Sequence, residues 1–175
     1  MRRVRYQVAA SLDGYIAGPG GEYDWIVQDP EMDFRALFAQ FDTYLVGRKT
    51  FEMMDAAGRA VTPGVKTFVF SRTLRQEQHP GVTVVSDKIE ETVAALRAEE
   101  GKDIWVFGGG SLFRSLLEAG LVDTVEVAVS PVLLGGGIPL LPQTAKQTKL
   151  KLTGHRIYQK SGIVMLQYSV RKDDA

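Results

Sequence analysis

Apolar positions recur along this chain with two periods, and the change from one to the other marks the predicted elements. Val4–Ala10 reads as a first strand running into the turn Ser11-Leu12-Asp13-Gly14. From Gly18 to Pro30 the segment GPGGEYDWIVQDP has no period and reads as a long, functional loop. Phe34, Leu37, Phe38 and Phe41 then follow the i, i+3, i+4, i+7 stripe of a helix, predicted over Asp33–Phe41. A short strand, Thr43–Val46, leads through Gly47-Arg48-Lys49-Thr50 into a second helix. Val65–Phe70 and Val82–Val85 read as strands, and Ile89, Val93 and Leu96 mark a helix ending near Gly101. Ile104–Phe107, the most apolar strand, runs into three glycines, after which Leu112, Phe113, Leu116 and Leu117 keep helical spacing.

Beyond Gly120 the period shortens. Val125, Val127 and Val129 alternate, and Leu150, Leu152, Ile163 and Met165 suggest two more strands around Ser161-Gly162. Alternating strands and helices followed by strands alone predict an α/β fold with a mainly parallel central sheet, flanking helices and antiparallel C-terminal strands. No repeat or linker interrupts residues 1–175, so one domain is expected.

Composition narrows the function. The 21 basic and 21 acidic residues cancel, whereas a general nucleic-acid binder carries a basic excess. No nucleic-acid partner is expected, and any anionic ligand must be held by a local cluster. With no cysteine, disulfides, thiolate metal ligands and a Cys nucleophile are excluded. His79 and His155 are far apart and outside any metal-ligand spacing, so no metal is expected. No G-x-S-x-G elbow supports a Ser-His-Asp hydrolase. No apolar run approaches the ~18 residues of a membrane span, and the N-terminus lacks the long apolar stretch of a signal peptide. A cytoplasmic protein without a membrane partner is the expectation.

Three strand ends carry candidate chemistry. In IWVFGGGSLFRSLL a buried strand empties into Gly108, Gly109 and Gly110, then Ser111 and Leu112 open a helix. Free N–H groups and the positive end of a helix dipole suit a phosphate there, although a tight structural turn has the same pattern. In LVGRKTFE, Gly47, Arg48, Lys49 and the Thr50 hydroxyl would grip a phosphate, or form a Thr-capped helix with a solvated basic pair. In FVFSRT, Ser71, Arg72 and Thr73 are residue types that hold a ribose 2′-phosphate, and also make an ordinary polar turn. Ligands in open α/β sheets bind at the carboxyl ends of strands, so three such sites together point to one extended, phosphorylated ligand.

SLDGYIA, LVGRKTFE, FVFSRT and WVFGGGSLFRSLL, in this order, resemble the dihydrofolate reductase superfamily, and within it the riboflavin-biosynthesis reductase domain (the RibD C-terminal domain) with its stand-alone relatives. PVLLGGGIPLL is similar to that branch as well. The resemblance, from Val4 to about Tyr168, implies a dihydrofolate-reductase-like fold and an NADPH-dependent reductase acting on a pterin-like or pyrimidine-like heterocycle. It would place backbone groups of Ala9 and Ile16 at the nicotinamide carboxamide, and residues 47–50 along the phosphates. It would place Ser71 and Arg72 at the 2′-phosphate and residues 108–112 at the pyrophosphate, with a cis Gly108-Gly109 peptide. A homodimer is also implied. The zinc deaminase that accompanies this domain in bifunctional riboflavin enzymes is excluded, because no cysteine can supply its signature.

Dihydrofolate reductases use a carboxylate early in the helix after the mobile loop. Asp33 is the nearest match and Glu31 the alternative, while either would also serve as a helix N-terminal acid. Asp13 would touch substrate or cap its turn, and Trp25 would shield the reacting rings or anchor its loop. Two other readings stand beside the reductase: a non-catalytic NADPH-binding sensor module, and a structural dimer in which the glycines only make turns.

Overall fold

The computed structural model describes residues 1–144 and 146–171. Its elements run β1 (Val4–Ser11), β2 (Tyr15–Ala17), α1 (Phe34–Phe38), β3 (Phe41–Gly47), α2 (Arg48–Ala56), β4 (Lys66–Phe70), β5 (Thr83–Val85), α3 (Ile89–Ala98) and β6 (Asp103–Gly108). They continue α4 (Gly110–Glu118), β7 (Thr124–Ser130), β8 (Ile138–Pro139), β9 (Leu150–Tyr158) and β10 (Ile163–Val170), with a 3₁₀ turn at Gln76–Gln78. Eight strands form one sheet in the order β5-β4-β3-β6-β1-β7-β10-β9. The first six are mutually parallel, while β10 runs antiparallel to both of its neighbours, β7 and β9. The predicted α/β class, the mainly parallel sheet and the antiparallel C-terminal edge are all present.

Alternation along the strands divides the core in two. On one face Val4, Tyr6, Ile104, Val106 and Val125 pack under α3 and α4, with Tyr6 stacked on Phe113 at 3.7 Å between ring centroids. On the other, Tyr44, Val46, Val69 and Trp105 pack against Phe51 and Met54 of α2. This second face also carries buried polar groups. Arg5 donates to both Glu126 oxygens, each at 2.8 Å, and to Gln40 at 2.7 Å, and it lies 4.7 Å over the Phe41 ring.

Two expectations change. The helix predicted over Asp33–Phe41 stops at Phe38, because Phe41 is drawn into β3 opposite Asp103 and stacks on Trp105 at 4.9 Å. Tertiary packing overrides the helical period. A second, two-stranded sheet joins β2 to β8; with three and two residues, neither strand is long enough to display a period.

Candidate active site

Both α2 and α4 begin on a glycine, Gly47 and Gly109, and neither has a side-chain cap. The first N–H groups of both helices are therefore left without a side-chain acceptor and can meet an anion. The two ends adjoin each other. A Cβ on Gly47 would lie 3.5 Å from the Gly108 oxygen and 3.5 Å from the Gly109 nitrogen, and a Cβ on Gly108 would lie 3.2 Å from the Thr50 hydroxyl oxygen. A Cβ on Gly110 would meet the Pro139 oxygen at 2.8 Å, so that site tolerates only hydrogen. The Gly108-Gly109 peptide is cis.

At the end of β4, the buried Ser71 hydroxyl accepts from the Thr73 and Leu74 amides at 3.2 and 3.0 Å. It is committed to shaping its turn, which leaves the exposed Arg72 as the cationic group there. Arg48 is paired with Glu52 at 2.8 Å along the surface of α2, whereas Lys49 is exposed. Ser111 is exposed on the first turn of α4, and Leu112 is buried in the core beneath it.

Ala9 lies in β1 opposite Ala128, and half-buried Ile16 lies in β2. The turn between them is tied to the segment 131–137. Asp13 accepts from the Leu134 amide at 3.1 Å and from the Gly135 amide at 2.7 Å, while Leu12 donates to the Val132 carbonyl. The Ser11 hydroxyl first, then these amides, hold the Asp13 carboxyl below its ordinary range. Asp13 is thus a clamp joining SLDGYIA to PVLLGGGIPLL. Trp25 is half-buried, and its indole N–H donates to the Glu22 carbonyl inside its own loop.

That loop is anchored by a residue outside the sequence-based candidates. Asp29, 2% exposed, accepts from the Glu31 amide at 2.8 Å and the Ser161 amide at 3.0 Å, linking the loop to the β9–β10 hairpin. Burial pushes its carboxyl up, but these donors and the nearby Lys160 charge outweigh that and hold it below the usual value. Because the folded-state value is depressed, the stabilisation is full above the unfolded-state value of about 3.9 and is lost as pH falls below it. Asp29→Asn is expected to flatten the acid limb of a stability–pH curve below about pH 4, measured by urea denaturation.

Asp33 is the N-cap of α1; its Oδ1 accepts from the Ala36 amide at 2.9 Å. Glu31 is exposed and faces Arg156 and Lys160 at 3.8 and 3.7 Å. Two groups missed by motif reading stand out. Gln7 Oε1 and the Ser130 hydroxyl are buried without a hydrogen-bond partner. The signal for Gln7 in the sequence is a polar residue recurring at alternate positions of an otherwise apolar strand, Arg5 and Gln7 in β1. His79 lies edge-on to Phe51, His155 is exposed on β9, and no cluster able to hold a metal occurs among the described residues. Nor is any described helix long and apolar enough to cross a membrane.

The strand order, the paired glycine-started helices and the clamped β1 turn give the chain the architecture of the dihydrofolate-reductase-like class. The chain belongs to the RibD C-terminal domain family, whose model matches residues 2–164. The uncharacterized protein YyaP of Bacillus subtilis is 35% identical over 179 residues, covering 95% of this chain and 94% of that protein. Dihydrofolate reductase type 6 of Proteus mirabilis is 30% identical over 152 residues, covering 83% and 87%. In structure, dihydrofolate reductase from Enterococcus faecalis, complexed with NADP(H) and RAB-propyl, shares the fold with a TM-score of 0.72 at 19% identity, over 97% of each chain.

Proposed function

We propose that this protein is an NADPH-dependent reductase of a pterin-like or pyrimidine-like heterocycle. The observation that carries this reading is the meeting of two uncapped helix N-termini across Gly47 and the Gly108-Gly109 peptide, with exposed Arg72 at a neighbouring strand end. Gly47, Arg48, Lys49 and Thr50 would flank the phosphates with Gly108–Ser111, and Leu112 would support the turn. Arg72, with Ser71 shaping its turn, would hold the 2′-phosphate. Ala9 and Ile16 would offer backbone groups to the carboxamide, and the unpartnered Ser130 hydroxyl, in register with Ser11, supports a polar ligand group at that end. The bound nicotinamide would supply the hydride. Trp25 and the loop held by Asp29 would exclude water, while Asp13 would keep the β1 turn in place beneath the rings.

Titration calorimetry with NADPH and NADH tests the reading: micromolar or tighter NADPH binding, about −8 kcal/mol or better, is expected. Absence of any dinucleotide binding would sink it. Binding without NADPH consumption in the presence of any heterocycle would identify a sensor instead. For the proton source the two carboxylates separate cleanly. Asparagine caps a helix as well as aspartate does, so Asp33→Asn keeps α1 and removes only the acid. With Asp33 committed to Ala36, turnover is expected to survive Asp33→Asn and to fall with Glu31→Gln.

A second copy of the chain is the proposed macromolecular partner. Val127, Val129, Val164 and Leu166 line an open apolar cleft of about 450 Å³ beyond the cover of α4. On the next strand, β9, Ile157 stands in register with Val164 of the cleft, and Ile157 and Leu152 are 53% and 52% exposed. An apolar surface of this extent is characteristic of an interface. Ile157→Lys is expected to convert a dimer into a monomer in sedimentation velocity; an unaltered sedimentation coefficient would refute this surface.

A further inference from the structure

We infer that the strip of sheet over Ala9 and Ala128 is a slot for a flat ring, and that the Gln7 side-chain amide reads a lactam edge of that ring. Ala9 and Ala128 are direct neighbours in register on two central strands, yet both keep solvent access where the flanking Gln7, Glu126 and Ser130 are buried. The methyl groups thus form the floor of a shallow opening rather than part of the packed core. An aromatic line borders the Gln7 side: Phe38 of α1 is 44% exposed and lies 5.6 Å from Trp105, which lies 4.9 Å from Phe107. Small floor, aromatic border and polar ends suit a planar, hydrogen-bonding heterocycle.

Gln7 is 8% exposed, and its Oε1 has no partner. The nearby donors are committed elsewhere. The Trp105 indole N–H donates to the Gln7 main-chain carbonyl at 3.0 Å, leaving the side chain alone. Arg5 directs Nε and one terminal nitrogen to Glu126, and the other to Gln40 and Asp103. With the Arg5 and Trp105 donors already committed, this buried, unmatched amide oxygen calls for a donor from outside the chain. A primary amide presents an acceptor and a donor side by side, so it pairs in two antiparallel hydrogen bonds with an N–H adjacent to a C=O. A lactam has that edge; an N-methylated lactam does not. As the substrate edge of the proposed reductase, the lactam rests on that reading for its chemistry, while the slot itself is independent of NADPH.

The test uses protein carrying ¹³C-methyl alanine, with lumazine as the lactam probe and 1,3-dimethyllumazine as the ring without N–H groups on its pyrimidine half. Lumazine is expected to shift the Ala9 and Ala128 methyl resonances saturably, and the dimethyl compound to bind at least tenfold more weakly. Gln7→Leu is expected to weaken lumazine at least tenfold and to leave NADPH affinity unchanged. Unmoved alanine resonances at millimolar lumazine, or equal binding of the two compounds, would overturn the inference. Undiminished lumazine binding by Gln7→Leu would do so too. The two-compound comparison uses the unaltered protein, so its outcome does not depend on the variant folding. Lumazine binding without NADPH binding would sink the reductase reading alone; NADPH binding without lumazine binding would sink the slot alone.

Discussion

Replacing Glu126 by leucine is expected to destabilise the protein by about 3 kcal/mol, the lower end of what breaking a buried ion pair costs. Arg5 and Glu126 side chains are 8% and 6% exposed, and their two 2.8 Å bonds lie in the middle of the sheet between β1 and β7. Burial works against the Arg5 charge, and Glu126, then Asp103, more than restore it. Without Glu126 the guanidinium keeps Gln40 and Asp103, which is why the loss should sit at the low end of the range. At roughly 2–4 °C per kcal/mol for a chain of this size, the melting temperature would fall by roughly 10 °C. The double variant Arg5→Met, Glu126→Leu should recover most of that loss, since replacing both charges by apolar groups removes the unpaired one. A double-mutant cycle by thermal denaturation checks this, and a single variant as stable as the parent would contradict it.

The second large effect concerns ligand affinity. Arg72→Ala is expected to weaken NADPH by about ten- to a hundredfold, corresponding to roughly 1.5–3 kcal/mol for a charge-assisted hydrogen bond. NADH, which lacks the 2′-phosphate, should be unaffected. The contrast matters because Arg48, the arginine of the LVGRKTFE motif, is already paired with Glu52, while Arg72 has no ion pair among the described residues. Equal losses for both dinucleotides in calorimetry would mean that Arg72 acts on the turn rather than on the phosphate.

The sheet was legible in the sequence because its strands are apolar runs bounded by glycine and polar turns. The strand-to-glycine-to-helix joins at Gly47 and Gly108 were legible for the same reason, since a buried strand followed by glycine and helical spacing is a strong local pattern. Local pattern was weaker wherever distant contacts decide. Phe41 completes a helical stripe, yet it becomes a strand residue because Trp105 and Arg5 await it. Asp33 satisfied two descriptions, and only the bond to Ala36 distinguishes the cap it makes. Asp29 gave no signal at all, because its partner Ser161 lies in another hairpin. Gln7 was visible as a polar intrusion in β1, but its missing partner is a property of three-dimensional neighbours.

The place of β1 in the sheet has a consequence for how the chain is made. Its first residues pair on one side with Ile104 and Trp105 and on the other with Thr124, so the opening strand of the sequence has no neighbour in the main sheet until more than half the chain exists. Parallel pairings across such separations are slow to form, because the entropy of closing the intervening loop is paid before the contacts reward it. During synthesis the β1 apolar side, with Val4 and Tyr6, must wait uncovered while β6, α4 and β7 emerge from the ribosome. Until then the chain is exposed to misassociation through β1, and its folding should complete as a late, concerted closure around that strand.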